Sequence, residues 1–128
     1  MAGFMTDEIF DQGLDYADTN GTRVDIDDTA EATTYSLATV DGTNSLGNKT
    51  GLNTGATADG ASDGRKVTVP AITDGTVTET GTAGFWALTD GSSLLIATGP
   101  LTSTQGVTDG NTFSLDAIIL AIRDASAV

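Results

Sequence analysis

Apolar and polar residues alternate in short runs along the second half of the chain, from Arg65 to Ala125. The runs are rich in Thr, Val, Ile and Leu, and Asp-Gly pairs separate most of them. Strict alternation is typical of strands with one buried face, and Asp-Gly readily adopts the positive φ angles of tight hairpin turns. The pattern predicts a mainly β fold, an antiparallel β-sandwich or jelly-roll-like domain, preceded by one short N-terminal helix.

That helix is predicted over residues 6–18. Phe10, Leu14 and Ala17 recur at steps of three and four residues, so they form one apolar stripe on a helix. Thr6 precedes two acidic residues and can cap the N-terminus, where the helix dipole favours negative charge. A narrow stripe fits two arrangements: the helix packs on its own sheet, or it docks on a neighbouring subunit.

The pair Asn20-Gly21 is expected to end the helix, because both residues tolerate positive φ. The chain then divides into an N-terminal helical arm, residues 1–21, and a single β domain, residues 22–128. The total of 128 residues is the size of one domain.

Two β segments are expected at the start of this domain. Residues 22–28 alternate, with Val24 and Ile26 on one side and charged residues on the other, as in a half-buried strand. Residues 33–40 are a second strand candidate, with Tyr35 and Leu37 on one face.

Residues 41–64 change in character and are predicted to form a long loop. They are nearly all Gly, Asn, Thr, Ala, Ser and Asp, without a period of 2 or 3.6 residues. Leu46 and Leu52 are the residues that could anchor this loop. A loop of this length is a flexible surface segment or a functional one that reaches across a partner.

The remaining strands are expected between turns at 73–76, 89–92 and 108–111, with a further break at Gly99-Pro100. The last predicted strand, residues 112–123, is the longest, and its second half is apolar on both faces. A strand buried on both faces is central in a sandwich, or is covered by another subunit or by the N-terminal helix.

The charge balance excludes several partners. The chain has 18 acidic and 5 basic residues, for a formal net charge of −13. Binding to nucleic acid or to an anionic membrane needs a basic surface, and Arg65-Lys66 is the one adjacent basic pair. We therefore expect neither nucleic acid nor a membrane as a partner, but a protein with a complementary basic patch is compatible with this charge.

The residue types favour a protein without catalytic activity and without a cofactor. Histidine and cysteine, the commonest acid–base and nucleophilic groups, are absent from the sequence. The three glutamates lie far apart in the sequence, in settings that do not suggest a carboxylate pair. Asp25, Asp27 and Asp28 could offer oxygens to a hard cation, but their spacing matches no complete calcium loop. We expect these acids to be solvated on a strand edge and in turns, with no bound metal.

Phe85 and Trp86 form an aromatic pair in a predicted strand. Such a pair can be a stacking platform for a sugar, and it can equally be core on one side and packing on the other. A carbohydrate-binding module is therefore one functional hypothesis.

Four segments carry a family resemblance: ATTYSLAT, LGNKTGL, GRKVTVPAITDGTVTETGTAGFWALTDGSSLLIATGPL and VTDGNTFSLDAIILAIRDA. In sequence and order they resemble small proteins encoded among the virion genes of tailed bacteriophages. The resemblance covers roughly residues 31–124 and contains no catalytic motif. Asp28 departs from the pattern, since relatives often have Cys there.

The resemblance implies a structural virion protein, and a capsid decoration (cement) protein is the best match within that class. Such a protein would lie on the capsid surface, bind the major capsid protein and form a homo-oligomer, with a trimer favoured. A neck, tail or fibre-base component is the alternative in the same class. The candidate contact residues lie in the helical arm, the long loop and the basic pair: Phe4, Phe10, Leu14, Leu46, Leu52, Arg65 and Lys66.

Overall fold

A computed structural model describes residues 7–40, 43–61 and 64–123, with side chains described from residue 11 onward. The helices are α1 (Asp7–Asn20) and α2 (Tyr35–Thr39). The strands are β1 (Arg23–Asp27), β2 (Ser45–Lys49), β3 (Ala58–Asp59), β4 (Arg65–Val69), β5 (Ile72–Val77), β6 (Gly81–Thr89), β7 (Leu95–Val107), β8 (Thr112–Leu115) and β9 (Ile118–Ile122).

The strands form two antiparallel sheets, which confirms the mainly β, sandwich-like fold with a short N-terminal helix. The larger sheet has the order β7-β6-β1-β2-β5-β8 and curls into a half-barrel. The smaller sheet has the order β3-β4-β9. Because β1 pairs with β6 on one side and β2 on the other, it lies in the middle of the larger sheet.

The main core lies between the two sheets. Its buried residues are Val24, Ile26, Leu46, Leu52, Val69, Ile72, Val77, Ala83, Leu88, Phe113 and Ile118. A second cluster joins α1 to the smaller sheet, and a third lies under α2. Alternation places one face of each inner strand in the main core, as the period of two in the sequence predicted.

Two of the predicted turns are present. Between β6 and β7, the Asp90 carboxylate accepts hydrogen bonds from the backbone N–H groups of Ser92, Ser93 and Leu94 at 2.8–3.0 Å. These three donors lower the pKa of Asp90 from 3.8 to about 2. Gly91 and, in the turn before β8, Gly110 have φ of 78° and 88°, which is the conformation that favours Gly there.

The strand predicted over residues 33–40 is wrong, since Tyr35–Thr39 forms α2. Thr34 caps this helix, because its hydroxyl accepts a hydrogen bond from the N–H of Leu37 at 3.2 Å. Within the helix, Ala38 is fully buried. A local cap and a small buried residue outweigh the β preference of the Thr-rich sequence.

The predicted loop 41–64 is also not continuous. Its first half contains β2, which pairs with β1 and β5, and a short β3 lies near its end. A Cβ at Gly47 would collide with the backbone of Thr76 in β5. Glycine, which suggested a loop in the sequence, here allows β2 and β5 to pair closely.

Two breaks predicted in the second half lie inside strands. The turn at 73–76 belongs to β5, which has an irregular register between Ile72 and Gly75 against β8. Gly99 and Pro100 lie within β7 and pair with β6 next to another irregularity. Bulges absorb the Gly and Pro residues without ending the strands.

The long last strand, predicted over 112–123, is two strands in different sheets. β8 pairs with β5 in the larger sheet, and β9 pairs with β4 in the smaller one. Ile118 is buried, but Ile119 is 58% exposed, so the second half is not buried on both faces within this chain.

Candidate functional site

The N-terminal helix packs on its own chain. Leu14 and Ala17 are buried and form a cluster with Val67 of β4, and Leu120 of β9 packs against it. Of the two arrangements that the apolar stripe allowed, the described part of α1 adopts the intramolecular one. Of the candidate contact residues in this arm, Phe4 lies outside the described residues, and only the backbone of Phe10 is described, within α1.

Arg65 connects three elements. Its guanidinium donates to the Asp11 carboxylate of α1, with Nε–Oδ1 at 2.8 Å, and to Asp59 of β3. The hydrogen bonds to these two carboxylates raise the pKa of Arg65. Arg65 therefore holds α1 and β3 on β4, and this internal role occupies the charge that the sequence suggested for a partner.

Lys66 lies on the other side of β4, since successive side chains of a strand point to opposite faces. Val67 and Leu120 are directly paired and face α1. The alternate positions form what we call the open face of the smaller sheet. It consists of Ala58, Lys66, Thr68, Ile119 and Ala121.

Leu46 and Leu52 are placed in the core, each with 8% of its surface exposed. Both belong to the main cluster between the sheets. In this chain, neither therefore presents the exposed side chain that a contact with another protein needs. The two apolar residues of a polar segment are used for its own folding.

The structure differs most from the sequence-based expectation at the acids of β1. Asp25 and Asp27 are fully buried, not solvated on an edge, because the segment between β1 and β2 folds over this face of the sheet. Arg23 makes a bidentate ion pair with Asp25, with Nε–Oδ1 at 2.6 Å and Nη2–Oδ2 at 2.8 Å. Ser45 donates a third hydrogen bond to Asp25 at 2.7 Å, so this carboxylate is well compensated.

Asp27 is buried without such compensation. Neither of its carboxylate oxygens has a hydrogen-bond partner among the described residues. Burial, together with the negative charges of Asp25 and Asp28, raises its pKa from 3.8 to about 8, and Arg23 opposes this only in part. Asp27 is therefore mainly protonated at neutral pH.

The acids do not assemble a metal centre in the part of the chain that the structure describes. No group of three or more carboxylates is close enough there to hold a cation. Asp28 instead accepts a hydrogen bond from the N–H of Ala30 at 2.8 Å, and the amide of Asn44 lies 3.4 Å from the same oxygen. These contacts fix the chain as it leaves β1.

Trp86 lies at a cleft that sequence reasoning did not predict. The cleft holds about 360 Å³ and lies between β7 and the junction of β8 and β9. Its lining combines the indole and aliphatic side chains with Thr102, Ser103, Gln105, Ser114 and Asp116. Phe85 and Trp86 are both half-buried and, as neighbours in β6, point to opposite faces of the sheet.

Gly99 makes the position of Trp86 possible. The two residues are paired across β6 and β7, and a Cβ at Gly99 would lie 2.6 Å from the indole ring. The ring therefore lies against the backbone of β7. The glycine in ATGPL is the signal that could have indicated this packing.

Comparison of the chain with protein-family models, with curated proteins and with solved structures gave no match. Neither helix in the described residues is long and apolar enough to cross a membrane.

Proposed function

We propose that this chain is a non-enzymatic structural protein of a tailed-bacteriophage virion, which binds the outside of the capsid shell and stabilises it. The proposal rests on the resemblance of segments spanning roughly residues 31–124. The observation that supports it best is the internal use of the ionic side chains. Lys49 of β2 pairs with Asp74 of β5, and Arg65 of β4 pairs with Asp11 of α1, so ion pairs within the chain tie strands and α1 together.

A β fold of this kind can stabilise a capsid shell by burying surface against it, without any chemical reaction. Antiparallel strands with many long-range contacts give a rigid scaffold, and decoration requires the burial of surface at the junctions of capsid subunits. The excess of acids, many of them exposed, gives the outer surface a negative charge. Such a surface repels nucleic acid and other particles, while the major capsid protein would supply the complementary surface.

The copy number in purified particles of the parent phage tests this proposal. We expect quantitative mass spectrometry to give a ratio to the major capsid protein near unity, or one trimer for each three-fold position of the shell. About a dozen copies or fewer would contradict decoration and favour the neck, tail or fibre-base alternative, where small rings are usual. Absence from the particle would contradict a virion role.

The Trp86 cleft favours carbohydrate binding as a second candidate function. Sugar sites combine an aromatic ring with hydroxyl, amide and carboxylate groups, and the lining residues supply all four. The volume of about 360 Å³ lies within the range of small-molecule sites.

Because Trp86 is the single tryptophan of the chain, its fluorescence reports directly on this cleft. If the cleft binds sugars, titration with oligosaccharides of glucose, galactose or N-acetylglucosamine should shift or quench the emission in a saturable way. Gln105→Ala should weaken that binding by about tenfold, as expected for the loss of one hydrogen bond. An unchanged spectrum at millimolar sugar would contradict this function, and a Trp86→Ala variant that unfolds would assign Trp86 to the core.

A further inference from the structure

The edge strand β9 has the composition of a buried strand but is open to solvent. Among the described strands it pairs with β4 alone, so its outer backbone groups have no strand partner. Ile119 is 58% exposed, which is the largest exposed fraction among the large hydrophobic residues described. Ala121 and Ile122 are also exposed. An exposed, apolar edge strand is a template for pairing with another chain.

β9 carries no charged side chain, as is also true of the edge strands β7 and β8. The exposed residues of β7 and β8 are mainly Thr, Ser and Gln, however, whereas β9 exposes Ile and Ala. Residues 117–122 are uncharged, whereas the chain carries a net charge of −13. On the open face beside them, the single charged side chain is Lys66. Two copies of an acidic protein repel each other at most surfaces, but this repulsion is weakest where acids are absent.

We propose that β9 pairs with β9 of a second copy of this chain, antiparallel and about a two-fold axis. The pairing joins the two smaller sheets into one and brings the exposed Ile119 side chains of both copies together. An isologous contact closes on itself and covers both open edges at once, which a head-to-tail contact of the same strand does not do.

The charged groups near this contact are compatible with it. β4 of one copy and β4 of the other are separated by three strand spacings, which places the two Lys66 residues about 14 Å apart across the sheet. That distance exceeds the Debye length of about 8 Å at physiological ionic strength, so their repulsion is largely screened. The two Asp116 residues lie at opposite ends of the antiparallel strands.

Sedimentation of the full chain between about 10 and about 300 µM tests this pairing, because two paired strands of five residues form a small contact, for which weak association is expected. We expect a monomer–dimer equilibrium, with slower hydrogen exchange of β9 amides as the concentration rises. Ile119→Lys should weaken the association at least tenfold. Leu94→Lys, which changes another exposed apolar residue in the same way, should not affect it.

A monomer over the whole concentration range would overturn the pairing, as would a trimer or an association that Ile119→Lys leaves unchanged. Ile119 is mostly exposed, so the variant should fold, and circular dichroism checks this. If it does not fold, Ala121→Lys on the same open face replaces it. The two proposals can fail separately: a trimer in solution would overturn this pairing and leave the virion proposal standing, whereas absence from the particle would contradict the virion proposal alone.

Discussion

Replacing Asp27 by Asn is expected to raise the free energy of unfolding at pH 7 by about 2 to 4 kcal/mol. Among the residues that the structure describes, this carboxyl group has no hydrogen-bond partner, and it lies beside Asp25 and Asp28 with a pKa of about 8 against an ordinary 3.8. At pH 7 the Asp27 carboxyl group ionises in the unfolded chain but stays mainly protonated in the native state. Ionisation therefore stabilises the unfolded chain. The upper figure is the linkage over the roughly three pH units between the unfolded pKa of 3.8 and pH 7, at about 1.4 kcal/mol per unit, and local relaxation around a buried charge lowers it.

The same pKa shift predicts the pH dependence of the wild-type protein. Between the unfolded pKa near 4 and the native pKa near 8, the native state binds one more proton than the unfolded state at Asp27. The contribution of Asp27 to stability is therefore fully present below about pH 4 and falls as the pH rises to about 8. Chemical denaturation at intervals from pH 4 to pH 9 should show this decline.

Asp27→Asn should remove the decline, because Asn does not titrate. Asp15→Asn is a matched control, since Asp15 is exposed on α1, and its effect should stay within about 0.5 kcal/mol. Equal pH profiles for the wild type and Asp27→Asn would contradict the raised pKa. A loss of stability in Asp27→Asn at pH 7 would show that the carboxyl group has a partner that stabilises it.

The burial of these acids shows where sequence patterns stop being informative. Alternation correctly placed Val24 and Ile26 in the core, and it correctly placed Asp25 and Asp27 on the other face of β1. The alternation does not show that other residues of the chain cover this second face. α2 and its flanking residues cover it, with Ala38 packed against Ala87 in a cluster of small side chains. Small residues give almost no periodic signal, so a strand buried on both faces resembled a half-buried one.

Three of the candidate contact residues, Leu46, Leu52 and Arg65, are used inside the chain for a related reason. Leu46 and Leu52 stand alone in a polar segment, which suggested a loop with two anchors for a partner, but the core of the chain takes both. Arg65 is one of the few positive charges in an acidic chain, so acids of the same chain lie within its reach. For β9, the sequence predicted a strand buried on both faces, but the structure places it at the edge of the smaller sheet with Ile119 and Ile122 exposed.

A second large effect is expected at Gly75, where Gly75→Val should destabilise the fold by about 3 kcal/mol or more. In the sequence, Asp74-Gly75 resembles the other turns, yet Gly75 lies in β5 with a φ that is not left-handed. Gly75 leaves space for an aromatic ring. It is paired with Phe113 of β8, and a Cβ at Gly75 would overlap the Phe113 ring. The ring is 7% exposed and belongs to the main core, so displacing it would expose a large apolar surface.

Gly106→Val separates this explanation from a general cost of changing glycines in strands. Gly106 lies in β7, and a Cβ there would meet no atom within 4 Å. Because Val has a higher β propensity than Gly, this variant should be neutral or slightly stabilising. Thermal or denaturant unfolding compares the two variants directly. Equal losses in both would contradict the packing of Phe113 on Gly75, whereas a loss confined to Gly75→Val means that this Asp-Gly pair accommodates an aromatic ring and does not form a turn.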